Sequence, residues 1–270
     1  MNAPQRQGFF AAVVALLLLI PGTASADSAS ALLRQANAIQ WSQLTDPQTV
    51  AHHLDLYVRA AQADPQNVEA RVRAGEFAFY AWRLESETNR RLSIARTGLR
   101  LTREAVRLDP QNAAAWYWSG VSISIIGLTQ GVLNSLQLIP EGRAAYERTI
   151  ELDEGFRDGQ AIANLARVYA IAPGFPMSIG NSRRAERMLV EGYESNPDST
   201  YFPLFLADFR WSQGKTDEAL ALLEEVLEKK ARPGDYTVLV NEINQRKAEQ
   251  MRQHIQDGVE RDRFNDVVSD

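Results

Sequence analysis

The chain of 270 residues contains no cysteine. It therefore holds no disulfide and no thiolate nucleophile, and no lipid can be attached through an N-terminal cysteine. Histidine is scarce too, limited to His52, His53 and His254. Neighbouring residues on a helix diverge by about 100°, so His52 and His53 cannot chelate one metal together, and they read as solvated or half-buried side chains. No glycine loop of the nucleotide-binding kind is present, and no serine-histidine-aspartate setting can be built. Carboxylate pairs such as Glu224-Glu225 read as solvated helix surface. The chain thus reads as a non-enzyme without metal or cofactor. Basic charge is also short, with 29 Lys and Arg against 34 Asp and Glu, and this excludes the positive footprint that nucleic acid needs.

A long apolar run is missing as well. Phe9 to Ile20 spans only twelve residues, short of the roughly 20 required to cross a bilayer. With Arg6 before it, a Pro21-Gly22 break and the small-residue site Ala24-Ser25-Ala26 after it, residues 1–26 read as an export signal cleaved after Ala26. The expected product is a periplasmic protein without a transmembrane anchor. Residues 27–270 show no linker-like segment and read as one domain. Within it, Pro110 to Pro140 carries no charged residue. Two readings of that stretch stay open: a buried helix with a covered loop, or the wall of an apolar pocket.

What is present is a recurring corner. Leu108-Asp109-Pro110 stops one helix, because proline lacks an amide hydrogen and disfavours helical geometry before it. Asn112 then caps the next helix, where bulky Trp116 lies a turn before the small pair Ser119-Gly120, a ridge beside a notch. Asp64-Pro65-Gln66-Asn67 before Ala74-Gly75 repeats the pattern, as do Leu152-Asp153 before Leu165-Ala166 and Tyr169, and Asn196-Pro197-Asp198 before Leu206-Ala207. Gly214 to Ala231 adds a turn glycine, Ala219, Leu223 and Val226.

These residues resemble the tetratricopeptide repeat (TPR), with Trp116 and Gly120, Tyr57, Ala60 and Pro65, and Gly214 and Ala219 in the motif's places. Pro65 and Pro110 are 45 residues apart, against 34 in the ordinary repeat. The extra length falls in segments such as 129–140 and 173–181. The resemblance implies an all-α solenoid of about four stretched hairpins, closed by a C-terminal helix whose apolar stripe is Val240, Ile243, Ala248, Met251 and Ile255 beside a wet face that includes Asn244. Arg261 to Asp270 reads as a frayed tail. The leader, the stretched hairpins, the loop before Arg183-Arg184-Ala185 and Leu239-Val240-Asn241 are together similar to periplasmic TPR proteins associated with TRAP-type solute transporters. That similarity implies a periplasmic solute-binding protein as partner and an apolar cleft.

A TPR concave face is built mainly from the first helix of each hairpin. Here it should present Phe79 and Tyr80, then Tyr117, Val121 and Ile125, then Arg167 and Ile171, then Leu204, Asp208 and Trp211 as the candidate ligand- or partner-binding residues. With Arg167 as the only basic group placed on that face, a basic clamp for acidic peptide termini is not expected, and Arg167 is the candidate to hold a carboxylate head. The expected function is that of a binding module: a TRAP-associated protein holding an apolar or amphipathic small molecule, or, alternatively, an envelope protein-interaction scaffold without one.

Overall fold

A computed structural model describes residues 26–232 and 236–261. The expected leader, the Pro233-Gly234-Asp235 corner and the tail beyond Arg261 lie outside the described residues. Eleven α-helices, numbered here α1 to α11, make up this described part: Ala26–Asn37, Pro47–Ala63, Val68–Leu84, Thr88–Leu108, Ala113–Gln130, Ile139–Leu152, Gln160–Ile171, Ser182–Ser195, Tyr201–Ser212, Thr216–Glu228 and Thr237–Gln256. They pack as consecutive hairpins, α1 with α2 through to α9 with α10, and each hairpin stacks on the next. No strand occurs among the described residues.

The corners form for the reasons the sequence suggests. Asn67, Asn112 and Asn181 each accept a hydrogen bond from the amide three residues on, at 2.9, 3.0 and 3.0 Å, which satisfies a free N–H at each helix start. At the preceding helix ends, the amides of Asp64, Asp109, Asp153 and Asn196 return to the carbonyl four residues back. The close approach inside each hairpin depends on residues without bulk. A Cβ at Gly120 would lie 2.8 Å from the Tyr146 ring of α6, and one at Gly75 would lie 2.2 Å from Thr102 Cγ2 of α4. The ridge, however, is not Trp116. Its indole stays half-exposed and donates to the Pro110 carbonyl at 2.9 Å, while Tyr117 and Trp118 are buried. Tethering to the proline corner holds Trp116 on the outside and leaves its two neighbours to face the core.

The C-terminal helix does more than cap the last hairpin. Leu239 and Ile243 of α11 join the core of the first hairpins, with Tyr57, Phe77 and Leu101, whereas Ala248 and Met251 join the core of α9 and α10. One helix thus packs against both ends of the solenoid. Asn244, expected on a wet face, is buried and donates to Thr200 at 2.9 Å. It meets α9 because α11 has protein on more than one side.

The uncharged stretch divides between its two readings. Its helical part, α5, is largely buried, and one flank of it lines cavities.

Candidate functional site: a cavity beneath the C-terminal helix

Helices α3, α5, α7 and α9, the first helices of four successive hairpins, converge on a central cavity of ≈ 70 Å³, which α11 covers with Val240, Ile243, Asn244 and Lys247. The walls are mainly aromatic and aliphatic. Six of the ten candidate residues line it: Phe79, Tyr80, Tyr117, Val121, Ile125 and Arg167. The other four lie elsewhere. Leu204 and Trp211 are buried against Leu223, Val226 and Met251, so they pack helix to helix. Asp208 lies in a smaller cleft, where it is paired with Arg261 at 2.6 and 3.1 Å. Ile171 borders that cleft and a second apolar cavity.

This second, lateral cavity is also ≈ 70 Å³ and lies between α5, the 3₁₀ segment Leu133–Leu138, α6 and α7. It shares Ser124, Leu128, Asn164 and Arg167 with the central one. The two spaces therefore meet at one wall, and Arg167 stands in it. Its guanidinium lies 5.2 Å from the centre of the Phe205 ring.

The electrostatics differ from the expectation of a single basic group. Arg83, Arg157 and Lys247 line the central cavity together with Arg167, and no aspartate or glutamate does. Arg83 is half-buried, and burial pulls its guanidinium below the ordinary arginine value. It forms no ion pair with a described residue. Reasoning from sequence missed it, although Arg83 lies four residues after Phe79 on α3 and so shares its face. Arg157 is held differently. Burial opposes its charge, yet the surrounding Tyr80 and Glu76 oxygens outweigh burial and keep its guanidinium above the ordinary value.

Arg157 belongs to a buried polar cluster beside the cavity. Glu76 accepts from Arg73, from the Tyr80 hydroxyl at 2.9 Å and from Arg157 at 3.1 Å. The Arg157 guanidinium also lies 4.0 Å from the Tyr236 ring. Its neighbour Asp158 accepts two hydrogen bonds from Arg232, at 3.1 and 2.8 Å, and one from the Tyr236 hydroxyl at 2.5 Å. The turn carrying these groups has three consecutive left-handed residues, Arg157, Asp158 and Gly159, with φ of 50°, 57° and 75°. Two of them bear side chains, a conformation that costs energy unless the surroundings enforce it. Here the enforcing contacts reach α3 on one side and the start of α11 on the other.

Tyr117 sits at the centre of the floor, where its hydroxyl donates to Gln160 at 2.7 Å, and burial raises its pKa well above the ordinary tyrosine value. It stays protonated and neutral across the physiological range. The histidines lie away from this floor: His53 Nδ1 is 2.9 Å from the Ala36 carbonyl, and His254 lies near Trp211.

Stacked two-helix units around a shared concave space define a TPR-like α-solenoid. A crystal structure of TTC0263, a thermophilic TPR protein of Thermus thermophilus, is similar to it over 82% of this chain and 98% of that one, at 18% identity and a TM-score of 0.55. A crystal structure of the MamA protein is similar over 75% and 91% of the respective chains, at 18% identity and a TM-score of 0.47. Among curated proteins none matches the chain. The model of the TRAP transporter T-component family matches residues 57–258, and the chain belongs to that family.

Proposed function

We propose that this protein is an exported, periplasmic accessory of a TRAP-type transporter that holds an amphipathic carboxylate in the central cavity and works with a periplasmic solute-binding protein. The observation that carries this reading is a cavity with apolar walls into which Arg83 is set without an ion pair to a described residue and with no carboxylate in the lining. An anionic head would restore charge balance to Arg83 and lie within the same walls as Arg167, and bonds between a carboxylate and guanidinium groups are among the strong ones in a partly dry site. A hydrocarbon tail would gain burial against Tyr117, Val121 and Ile125 and extend past Leu128 towards the lateral cavity. Membership of the T-component family supports the transporter association and the protein partner. No described helix is long and apolar enough to cross a membrane.

Titration calorimetry with dodecanoate and 1-dodecanol tests the reading. Dodecanoate should bind the wild type more tightly than the alcohol. Arg83→Met or Arg167→Met should weaken dodecanoate by about 10- to 100-fold, from the ~1.5 to 3 kcal/mol that a hydrogen bond to a charged group contributes. Tyr117→Ala should weaken both ligands. Equal binding of the two ligands in every variant, with Tyr117→Ala lowering stability alone, would overturn the proposal.

A further inference from the structure

In stacked hairpins the loops that join the first helix to the second all emerge along one edge. In this chain two of the five corresponding loops are short, residues 85–87 and 213–215, and three are long, residues 38–46, 131–138 and 172–181. The last two long loops are neighbours in the stack. Their bases meet, since Val132, Ser135 and Leu138 of one and Ile171 and Ala172 at the start of the other line the same lateral cavity. Among the described residues only four large apolar side chains are exposed, and three are on these two loops: Leu133 at 65%, Phe175 at 94% and Met177 at 63%. Scattered exposed leucines need no explanation, but apolar side chains gathered on adjoining projections do.

The charge pattern around them narrows what they meet. No charged residue occurs from Val168 to Ser182, nor from Pro110 to Pro140, so neither projecting loop carries a charge. The charges that follow the second loop are basic: Arg183 and Arg187 are exposed on the first turns of α8 and make no ion pair with a described residue, and Arg184 is 42% exposed. Nearby carboxylates are engaged. Glu147 faces Arg143 and Arg184, and Glu141 binds Arg103. The exposed acidic residues of α8, Glu191 and Glu194, lie towards its far end.

We infer that this edge is a docking surface for an anionic lipid bilayer. Uncharged loops tipped with Phe175, Met177 and Leu133 enter the boundary between headgroups and acyl chains, and Arg183 and Arg187 lie against lipid phosphates. Aromatic and aliphatic tips flanked by arginine are the chemistry of interfacial binding, in which apolar insertion and attraction to anionic headgroups add. The whole chain has a net charge of −5, so non-local electrostatics oppose approach to an anionic surface. Binding therefore depends on this local patch. A protein partner on the same edge is the competing outcome, and it predicts different behaviour in the test below.

The test is co-sedimentation of the protein, purified after export and processing, with large vesicles of phosphatidylglycerol and phosphatidylethanolamine, and in parallel with phosphatidylcholine alone. Sedimentation velocity without lipid reports self-association. The expected result is binding to the anionic vesicles, weakened about tenfold or more by the double substitution Phe175→Asp with Met177→Asp, and weakened by Arg183→Glu with Arg187→Glu. Added salt should weaken it as well, because exposed charges are screened. All four substituted side chains lie at the surface, so thermal unfolding should be unchanged, and Arg83→Met should leave vesicle binding intact. Three results would overturn the inference: no binding to either vesicle, binding that survives both double substitutions, or a wild-type oligomer that Phe175→Asp dissociates while vesicles stay unbound. None of these touches dodecanoate binding in the central cavity, so the two proposals fail separately.

Discussion

Glu76 is buried between two arginines and a tyrosine hydroxyl, and it ties α3 to the left-handed turn at Arg157. Replacing it by glutamine keeps the shape and removes the charge, leaving Arg73 and Arg157 without their counter-ion. Breaking a buried pair from one side typically costs about 3 to 5 kcal/mol. Chemical denaturation of Glu76→Gln should show a loss of that order, and a loss below about 1 kcal/mol would mean that the cluster is solvated. Ser122 makes the opposite case. Its hydroxyl is buried without a hydrogen-bond partner among the described residues, facing α4 where a Cβ at Gly98 would be 3.0 Å away. An unsatisfied buried polar group costs about 1 to 3 kcal/mol. Ser122→Ala should therefore raise the melting temperature, and a lower one would reveal a bond to Ser122 that this geometry lacks. Neither residue could be singled out from the sequence. Glu76 looks like any helical glutamate until Arg157, distant along the chain, is brought against it, whereas Asn112 was recognisable as a cap because its partner is three residues away.

At the scale of the element, the helices and corners were legible because their causes are local: proline stops, asparagine caps and small residues spaced as a notch. Gly120→Leu tests this level. Its side chain would drive into Tyr146, and overpacking of this kind costs about 1 to 3 kcal/mol. A melting temperature equal to wild type would contradict the packing of α5 on α6. What failed at this level was the reading of Trp116 as the packed ridge, and the placement of Leu204 and Trp211. Both errors concern which face of a helix meets a neighbour when it has neighbours on more than one side. In α5 the apolar residues run almost all the way round, so periodicity cannot say which flank is core and which lines a cavity. In α9, α10 and α11 lie against Leu204 and Trp211 and take them away from the concave space.

For the whole molecule, the decisive feature is that the C-terminal helix turns back over the concave face. An open solenoid offers its groove to extended partners, but here α11 covers the groove, and Asp158 binds Arg232 and Tyr236 at its start. The concave surface becomes a covered cavity, and the edge carrying Leu133, Phe175 and Met177 stays exposed. The sequence could suggest a repeat, an apolar stretch and Arg167. It could not show that α11 adds Lys247 to one side of the cavity and α3 adds Arg83 to another, because the charge lining a closed space depends on how distant helices are folded together. Native mass spectrometry of the protein purified after export measures the central claim directly. The account predicts one retained or added dodecanoate per chain, carried through desolvation by wild type and lost from the Arg83→Met, Arg167→Met double variant, with 1-dodecanol retained by neither. A wild-type spectrum showing only the bare chain in the presence of dodecanoate would contradict it.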